Sequence, residues 1–168
     1  MKHVLEWRYL QFALAFIGLG LGIYLTVAHY VSPALLVCSN SGLVNCARVT
    51  TSPQSVVLGI PVAVLGLLYF VGMLFLTHPR SLGSWRLYPW RYAYAVVGII
   101  FVLYLVYTEL FVIGSICMYC TAVHVDTFLL FALIVTAARP ELPVRQTKKE
   151  MASYKAGRKR RQGRKSWK

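Results

Sequence analysis

The chain has 168 residues, of which 58% are hydrophobic, and 18 Lys and Arg residues against 5 acids give it a net charge of +13. This length predicts one domain, and so apolar a composition lies outside the range of water-soluble globular proteins. Four stretches are apolar and long enough to cross a bilayer as helices, which takes roughly 17–25 residues. In chain order they are residues 10–30, 60–76, 92–113 and 117–138.

These stretches predict an all-α membrane protein built as a four-transmembrane-helix bundle. Backbone groups inside lipid must satisfy one another, which helices do along their whole length. Transmembrane strands would be about ten residues long and would alternate in polarity, and these stretches do not. The first stretch is too long, and its end too poor a cleavage site, for a removed signal peptide. We expect a short N-terminus (1–9), a membrane domain (10–139) and a basic tail (140–168).

Positive charges predict the orientation of the bundle. Arg48 lies between the first and second spans, whereas the other seventeen Lys and Arg residues precede the first span, separate the second and third, or follow the fourth. Because positively charged loops stay in the cytoplasm, we expect both termini there and the loop at about residues 31–59 on the outer side. The protein is thus predicted to be multi-pass in an inner or plasma membrane. Its tail has no interleaved aromatic residues, which favours contact with anionic lipid over nucleic acid.

All four cysteines fall on the predicted outer side. Cys38 and Cys46 lie in the outward loop, and Cys117 and Cys120 open the fourth span. Four thiols on a disulfide-permitting side of a membrane admit inert disulfide staples, a redox relay or a zinc site. The seven residues between Cys38 and Cys46 are more than zinc sites usually place between paired ligands.

The Cys-x-x-Cys pair favours the relay. A disulfide across so short a ring constrains little of the unfolded chain and therefore stabilises little. The N-terminus of a helix favours the thiolate form that exchange requires. A loop dithiol near a membrane-edge dithiol could pass electrons inward through mixed disulfides.

Three polar residues lie within the predicted spans. His124 follows Cys120 by four residues and therefore shares its helix face. A polar ring inside a membrane helix is expensive and marks a functional candidate, although a hydrogen bond to a neighbouring helix would also explain it. Glu109 and Asp126 are either proton carriers or buried structural acids, and the sequence does not choose between the two.

The cysteine constellation resembles the vitamin K epoxide reductase family, in particular its bacterial homologues. The resemblance covers about residues 7–139. It rests on Cys38 and Cys46 with seven residues between them, Ser52 six residues further on, "CMYC" at the head of the fourth span and "GIPVAVLG" at the head of the second. Such a fold has an outward-facing loop capping the active site.

The resemblance implies a quinone-dependent thiol–disulfide oxidoreductase that drives disulfide formation outside the cytoplasm. Cys38 would exchange with a thioredoxin-like (DsbA-like) partner. Cys46 would pass the electrons to Cys117, and Cys120 would react with the quinone, which would be ubiquinone, menaquinone or vitamin K, with no metal involved. Many bacterial members carry a fused thioredoxin-like domain; a basic tail stands in its place here, so we expect the partner to be a separate protein.

The resemblance also implies a quinone site. Ser52 would lie on the stretch that caps it, His124 beside the quinone, and Leu65 and Tyr69 in its apolar wall. The sequence departs from the animal members in two ways: "IPVAVL" lacks their Asn, and His124 replaces their Tyr. Both departures favour quinone reduction. The alternatives are vitamin K epoxide reduction and a non-enzymatic membrane protein stapled by disulfides.

Overall fold

The computed structural model describes residues 2–38, 43–78, 87–138 and 151–154. The chain divides into two compact units, Met1–Ile134 and Val135–Lys168. All four cysteines lie in the first unit. Of the second unit, the structure describes the last turn of a long helix and a helical segment at residues 151–154, so most of the predicted basic tail lies outside the described residues.

Helices dominate the described residues. A π-helix extends α4, two short 3-10 turns flank α2, and two strands precede α3. The elements are α1 (Lys2–Tyr30), a 3-10 turn (Pro33–Leu35), α2 (Cys46–Thr50), a 3-10 turn (Pro53–Ser55), β1 (Val56–Val57), β2 (Ile60–Pro61), α3 (Val62–Thr77), α4 (Tyr88–Tyr107), the π-helix (Thr108–Ile113) and α5 (Met118–Ala138).

Three helical stretches among the described residues are long and apolar enough to cross a membrane: Glu6–Tyr30, Tyr88–Ile113 and Met118–Thr136. The second predicted span is α3, an apolar helix of 16 residues, which is shorter than the roughly 20 residues that a bilayer usually requires. The protein is therefore a mostly helical membrane protein with three candidate spans, and a fourth crossing by α3 stays a prediction.

The shortness of α3 has a local cause. Residues predicted to begin the second span instead form β2, which pairs antiparallel with β1. Leu58 and Gly59 join the strands with φ angles of 53° and 81°. Left-handed conformations at both central residues are what tight two-residue hairpin turns require. Pro61 then stands immediately before the helix, so α3 begins at Val62.

Helices α1 and α3 approach closely through small residues. A side-chain carbon added at Gly22 would lie 3.2 Å from the Cα atom of Leu67. One added at Gly18 would overlap the ring of Phe70. Glycines at a membrane helix interface allow backbones to come together, since lipid supplies no hydrophobic force to drive helices into contact.

Two clusters of buried side chains form inside the first unit. One, the apolar cluster, joins α1, α3, α4 and α5. The other, the thiol cluster, joins α1, the outer loop, α2 and the residue before α5. The apolar cluster comprises Ala15, Phe70, Met73, Ala95, Leu130 and Ile134. The thiol cluster comprises Leu25, Ala28, Leu36, Cys46, Val49 and Cys117.

Candidate functional site

Main-chain pairing brings the outer loop to the start of α5. The N–H of Ile116 donates to the carbonyl of Leu43 at 2.8 Å, and the N–H of Asn45 donates to the carbonyl of Ile116 at 3.1 Å. This is a parallel bridge, so both chains leave it in the same direction. Cys46 and Cys117 follow directly, and both sulfur-bearing side chains are fully buried in the thiol cluster.

The capping of α2 holds Cys46 in place. Asn45 lies at the N-cap with an extended backbone, and its side-chain oxygen accepts a hydrogen bond from the N–H of Arg48 at 2.9 Å. Asparagine is among the preferred residues at this position because its oxygen satisfies an otherwise free helix N–H. Asn45 therefore fixes the first residue of α2 while its own N–H joins the loop to Ile116.

The four cysteines form two pairs in different states. Cys38 and Cys46 are joined by a disulfide with a Cα–Cα distance of 6.0 Å, whereas Cys117 and Cys120 are free thiols. The N–H of Cys120 donates to the sulfur of Cys117 at 3.3 Å, which stabilises negative charge on that sulfur. Cys38 is partly exposed and Cys46 is buried, so the loop disulfide connects the surface to the thiol cluster.

A cavity of about 420 Å³ lies beside the second pair. Its volume is in the range of roughly 300–1,000 Å³ that is typical of small-molecule sites. Of the four cysteines, Cys120 lines it. On α5 its lining residues follow helical spacing, since Val123, His124 and Thr127 share the face of Cys120.

The residues predicted for the quinone site all line this cavity, from three different elements: Ser52, Leu65, Tyr69 and His124. Ser52 donates its hydroxyl proton to the carbonyl of Val49 at 2.9 Å, so it ties the loop to α2. Tyr69 stacks on Tyr94 with ring centroids 5.1 Å apart. His124 is only 5% exposed. The geometry thus brings together residues that are far apart in the sequence, around one thiol.

Glu109 is a member of the site that sequence reasoning did not select. It lies in the π-helix, is 6% exposed and lines the cavity. Its carboxyl borders the same cavity as the Cys120 thiol, and it interacts electrostatically with both thiols of the helix pair. The available signal was its position eight residues before Cys117, across a short link containing Gly114.

Asp126, the other intramembrane acid, is placed differently. It is 5% exposed, but it is not among the residues that line the cavity. Its Oδ2 atom finds no hydrogen-bond partner among the described residues. In the same described ranges, no group of three or more His, Cys, Asp and Glu residues is arranged to hold a metal ion.

The model of the Vitamin K epoxide reductase family matches residues 9–135. The matched region contains all four cysteines, the outer loop and every residue that lines the cavity.

Proposed function

The chain belongs to the vitamin K epoxide reductase family, and on that premise we propose that it is a quinone-dependent thiol–disulfide oxidoreductase that drives disulfide formation outside the cytoplasm. Membership makes it a membrane oxidoreductase with a disulfide-forming cysteine pair. The observation that carries the finer proposal is the order of the thiols. Cys38 is partly exposed, Cys46 and Cys117 are buried neighbours, and Cys120 borders a cavity.

In the proposed relay, electrons enter at Cys38. A thiolate of a separate thioredoxin-like partner attacks the Cys38 sulfur, breaks its bond to Cys46 and forms a mixed disulfide. The second thiol of the partner then releases Cys38, so the partner leaves oxidised and the loop pair holds two electrons. Thiol–disulfide exchange of this kind needs an accessible sulfur, and Cys38 is the exposed end of the loop pair.

The second transfer takes place inside the thiol cluster. When Cys117 and Cys120 are joined, the thiolate of Cys46 attacks Cys117 and releases Cys120. Cys38 then attacks Cys46, which restores the loop disulfide and leaves the helix pair reduced. The main-chain bridge at Ile116 holds the segments that carry Cys46 and Cys117 side by side. This supports direct exchange between the two sulfurs, because little chain movement is needed.

The cavity residues fit a quinone as the final acceptor. Leu65 and Tyr69 would form its apolar wall, and Cys120 supplies the thiol at its edge. A bound quinone accepts two electrons and two protons. His124 would donate a hydrogen bond to a quinone oxygen, where negative charge develops. Ser52 would act through the loop, because its hydroxyl proton is already donated to Val49.

The proposed membrane placement follows from charge. With α3 as a fourth crossing, both termini would lie in the cytoplasm and the four thiols on the outer side. The outer loop would then cap the cavity, with Cys38 facing the aqueous partner. Ubiquinone, menaquinone and vitamin K all suit an entry from the lipid, since each carries an apolar tail. The basic tail would contact anionic lipid.

A reconstituted assay tests the relay. Purified protein in lipid nanodiscs is mixed with a reduced thioredoxin-like partner and either ubiquinone or menaquinone, and quinone reduction is followed by absorbance. We expect turnover that is lost in Cys120→Ala and in Cys38→Ala, while the lipid-facing control Val125→Ala retains it. Quinone reduction that persists in Cys120→Ala, or electron entry that persists in Cys38→Ala, would overturn the relay.

Vitamin K epoxide reduction is the second candidate, because it is the activity for which the matched family is named. Feeding the epoxide to the reduced protein and measuring the quinone product by chromatography separates the two activities. If every cysteine stayed oxidised when a reduced partner was added, the chain would instead be a stapled, non-enzymatic membrane protein.

A further inference from the structure

The position of Glu109 is fixed by the turn between α4 and α5. The carbonyl of Glu109 accepts the N–H of Gly114 and the N–H of Ser115, the latter at 3.1 Å. Gly114 has a φ of 65°, a left-handed conformation that glycine adopts without strain. π-Helical turns are frequently found at functional sites. The turn therefore ties the backbone of Glu109 to the short link that leads into α5.

The carboxylate of Glu109 connects the reactive thiol to the cavity. It lines the same cavity as Cys120, and it interacts electrostatically with the Cys120 thiol. A carboxylate buried at membrane depth is expensive to keep, and such residues commonly carry protons. Among the described residues that line the cavity, Glu109 is the one acid.

Other titratable side chains surround the same space. His29 approaches from α1, Tyr69 from α3, Tyr94 from α4 and His124 from α5. The lining residues of α2 and of the loop after it are uncharged. Oxidation of two thiols must release two protons, and a closed apolar cavity offers few groups to take them. Of the groups named, Glu109 is the one carboxyl group, and it borders the same cavity as the Cys120 thiol.

We propose that Glu109 is a catalytic base of the helix pair, which takes the proton of Cys120 as the electrons leave and delivers it to the acceptor. This inference rests on the proposed function. Formation of the Cys117–Cys120 bond releases two electrons and two protons. Both electrons reduce the quinone, and Glu109 passes the Cys120 proton to one quinone oxygen. The Cys117 proton leaves to solvent, and solvent supplies the second proton of the hydroquinone.

A measurement without any quinone tests whether Glu109 and Cys120 share a proton. The reduced protein is labelled with N-ethylmaleimide between about pH 5 and about pH 9, and the rate at Cys120 is read by peptide mass spectrometry. Once Glu109 is ionised, Cys120 can form a thiolate by passing its proton to Glu109, and the fraction that does so is independent of pH. We therefore expect the wild-type rate to level off as the pH rises.

Glu109→Gln removes the carboxylate that would share a proton with Cys120. In this variant the Cys120 labelling rate should keep rising by about tenfold per pH unit until the thiol itself ionises. Glu109→Asp keeps a carboxylate and should level off, and it carries the test if the Gln variant does not fold. Asp126→Asn, which removes the other buried acid, should follow the wild-type profile. Parallel profiles for wild type and Glu109→Gln would overturn the proposal.

A second measurement includes the acceptor. Pre-reduced protein is mixed with a short-chain ubiquinone in a single turnover, and we expect Glu109→Gln to be slower by about 10²-fold or more. An unchanged rate would also overturn the assignment of Glu109. If the wild type reduced no quinone but kept its level labelling profile, the proposed acceptor would be wrong while the shared proton stood.

Discussion

The apolar cluster and the thiol cluster are specified by different kinds of interaction. In the apolar cluster, six buried side chains from four helices are held by van der Waals packing. In the thiol cluster, two cysteines are held by a main-chain bridge, a capped short helix and a disulfide. The cavity borders both, through Phe70 on one side and Leu25 and Val49 on the other. Substitutions in the apolar cluster should therefore change stability, and substitutions of the cysteines in the thiol cluster should change chemistry.

Among these substitutions, Cys117→Ala is expected to have the largest effect on turnover relative to its effect on stability. If Cys117 receives electrons from Cys46 as proposed, removal of its sulfur should lower partner-dependent turnover by at least ~10³-fold. The fold should persist, because alanine occupies less space than cysteine at this buried position. Turnover per folded molecule is measured beside thermal unfolding in detergent. Leu36→Ala, in the same cluster but without a thiol, is the matched control, and an equal loss of turnover there would contradict the comparison.

Leu130→Ala tests the apolar cluster. Its side chain is fully buried, so truncation leaves a cavity and should lower the free energy of unfolding by about 2–5 kcal/mol. The rate of thiol transfer at a temperature where the variant is folded should be unchanged. Leu129→Ala, next to it and 50% exposed, provides the control. Equal destabilisation by both substitutions would show that packing in the cluster is not what matters.

Asn45→Ala is expected to have a smaller effect, which is confined to the thiol cluster. Loss of the cap of α2 should cost about 1 kcal/mol and slow electron transfer from the loop pair by about fivefold. Quinone reduction by protein that is already reduced at Cys117 and Cys120 should be unaffected. The two rates are measured separately by stopped flow. Asn45→Asp keeps a capping oxygen and should restore the rate of electron transfer from the loop pair. If it did not, the helix cap would not be the cause of the slower transfer.

Much of this molecule could be predicted because its signals are local. Long apolar runs located the main helices, and the spacing of the cysteines indicated the family, which the match over residues 9–135 confirmed. The predicted starts of the spans were less accurate. Hydropathy alone cannot distinguish Ile60 and Pro61 in a hairpin from the first turn of a membrane helix, since the hairpin depends on the backbone conformations of Leu58 and Gly59.

The part that could not be predicted depends on contacts between distant residues. The bridge that places Cys46 beside Cys117 joins Leu43 to Ile116, and nothing in either sequence stretch specifies the other. Glu109 and Asp126 also looked alike as isolated intramembrane acids. Glu109 borders the same cavity as Cys120 and Asp126 does not, which only the packed structure shows. Most of the loop between the second and third spans, which was predicted to be cytoplasmic, lies outside the described residues.

The burial of Cys117 has a consequence for how the protein would behave in a mixture of thiols. Small reductants dissolved in water can collide with an exposed sulfur, but Cys117 presents no surface to them. Of the loop pair, Cys38 is partly exposed and Cys46 is buried, so Cys38 would be the aqueous entry point of the proposed relay. The membrane acceptor would be kinetically insulated from the general thiol pool. The selectivity of the whole route for a protein partner would be set at the Cys38 sulfur, whereas the electrons would leave at Cys120.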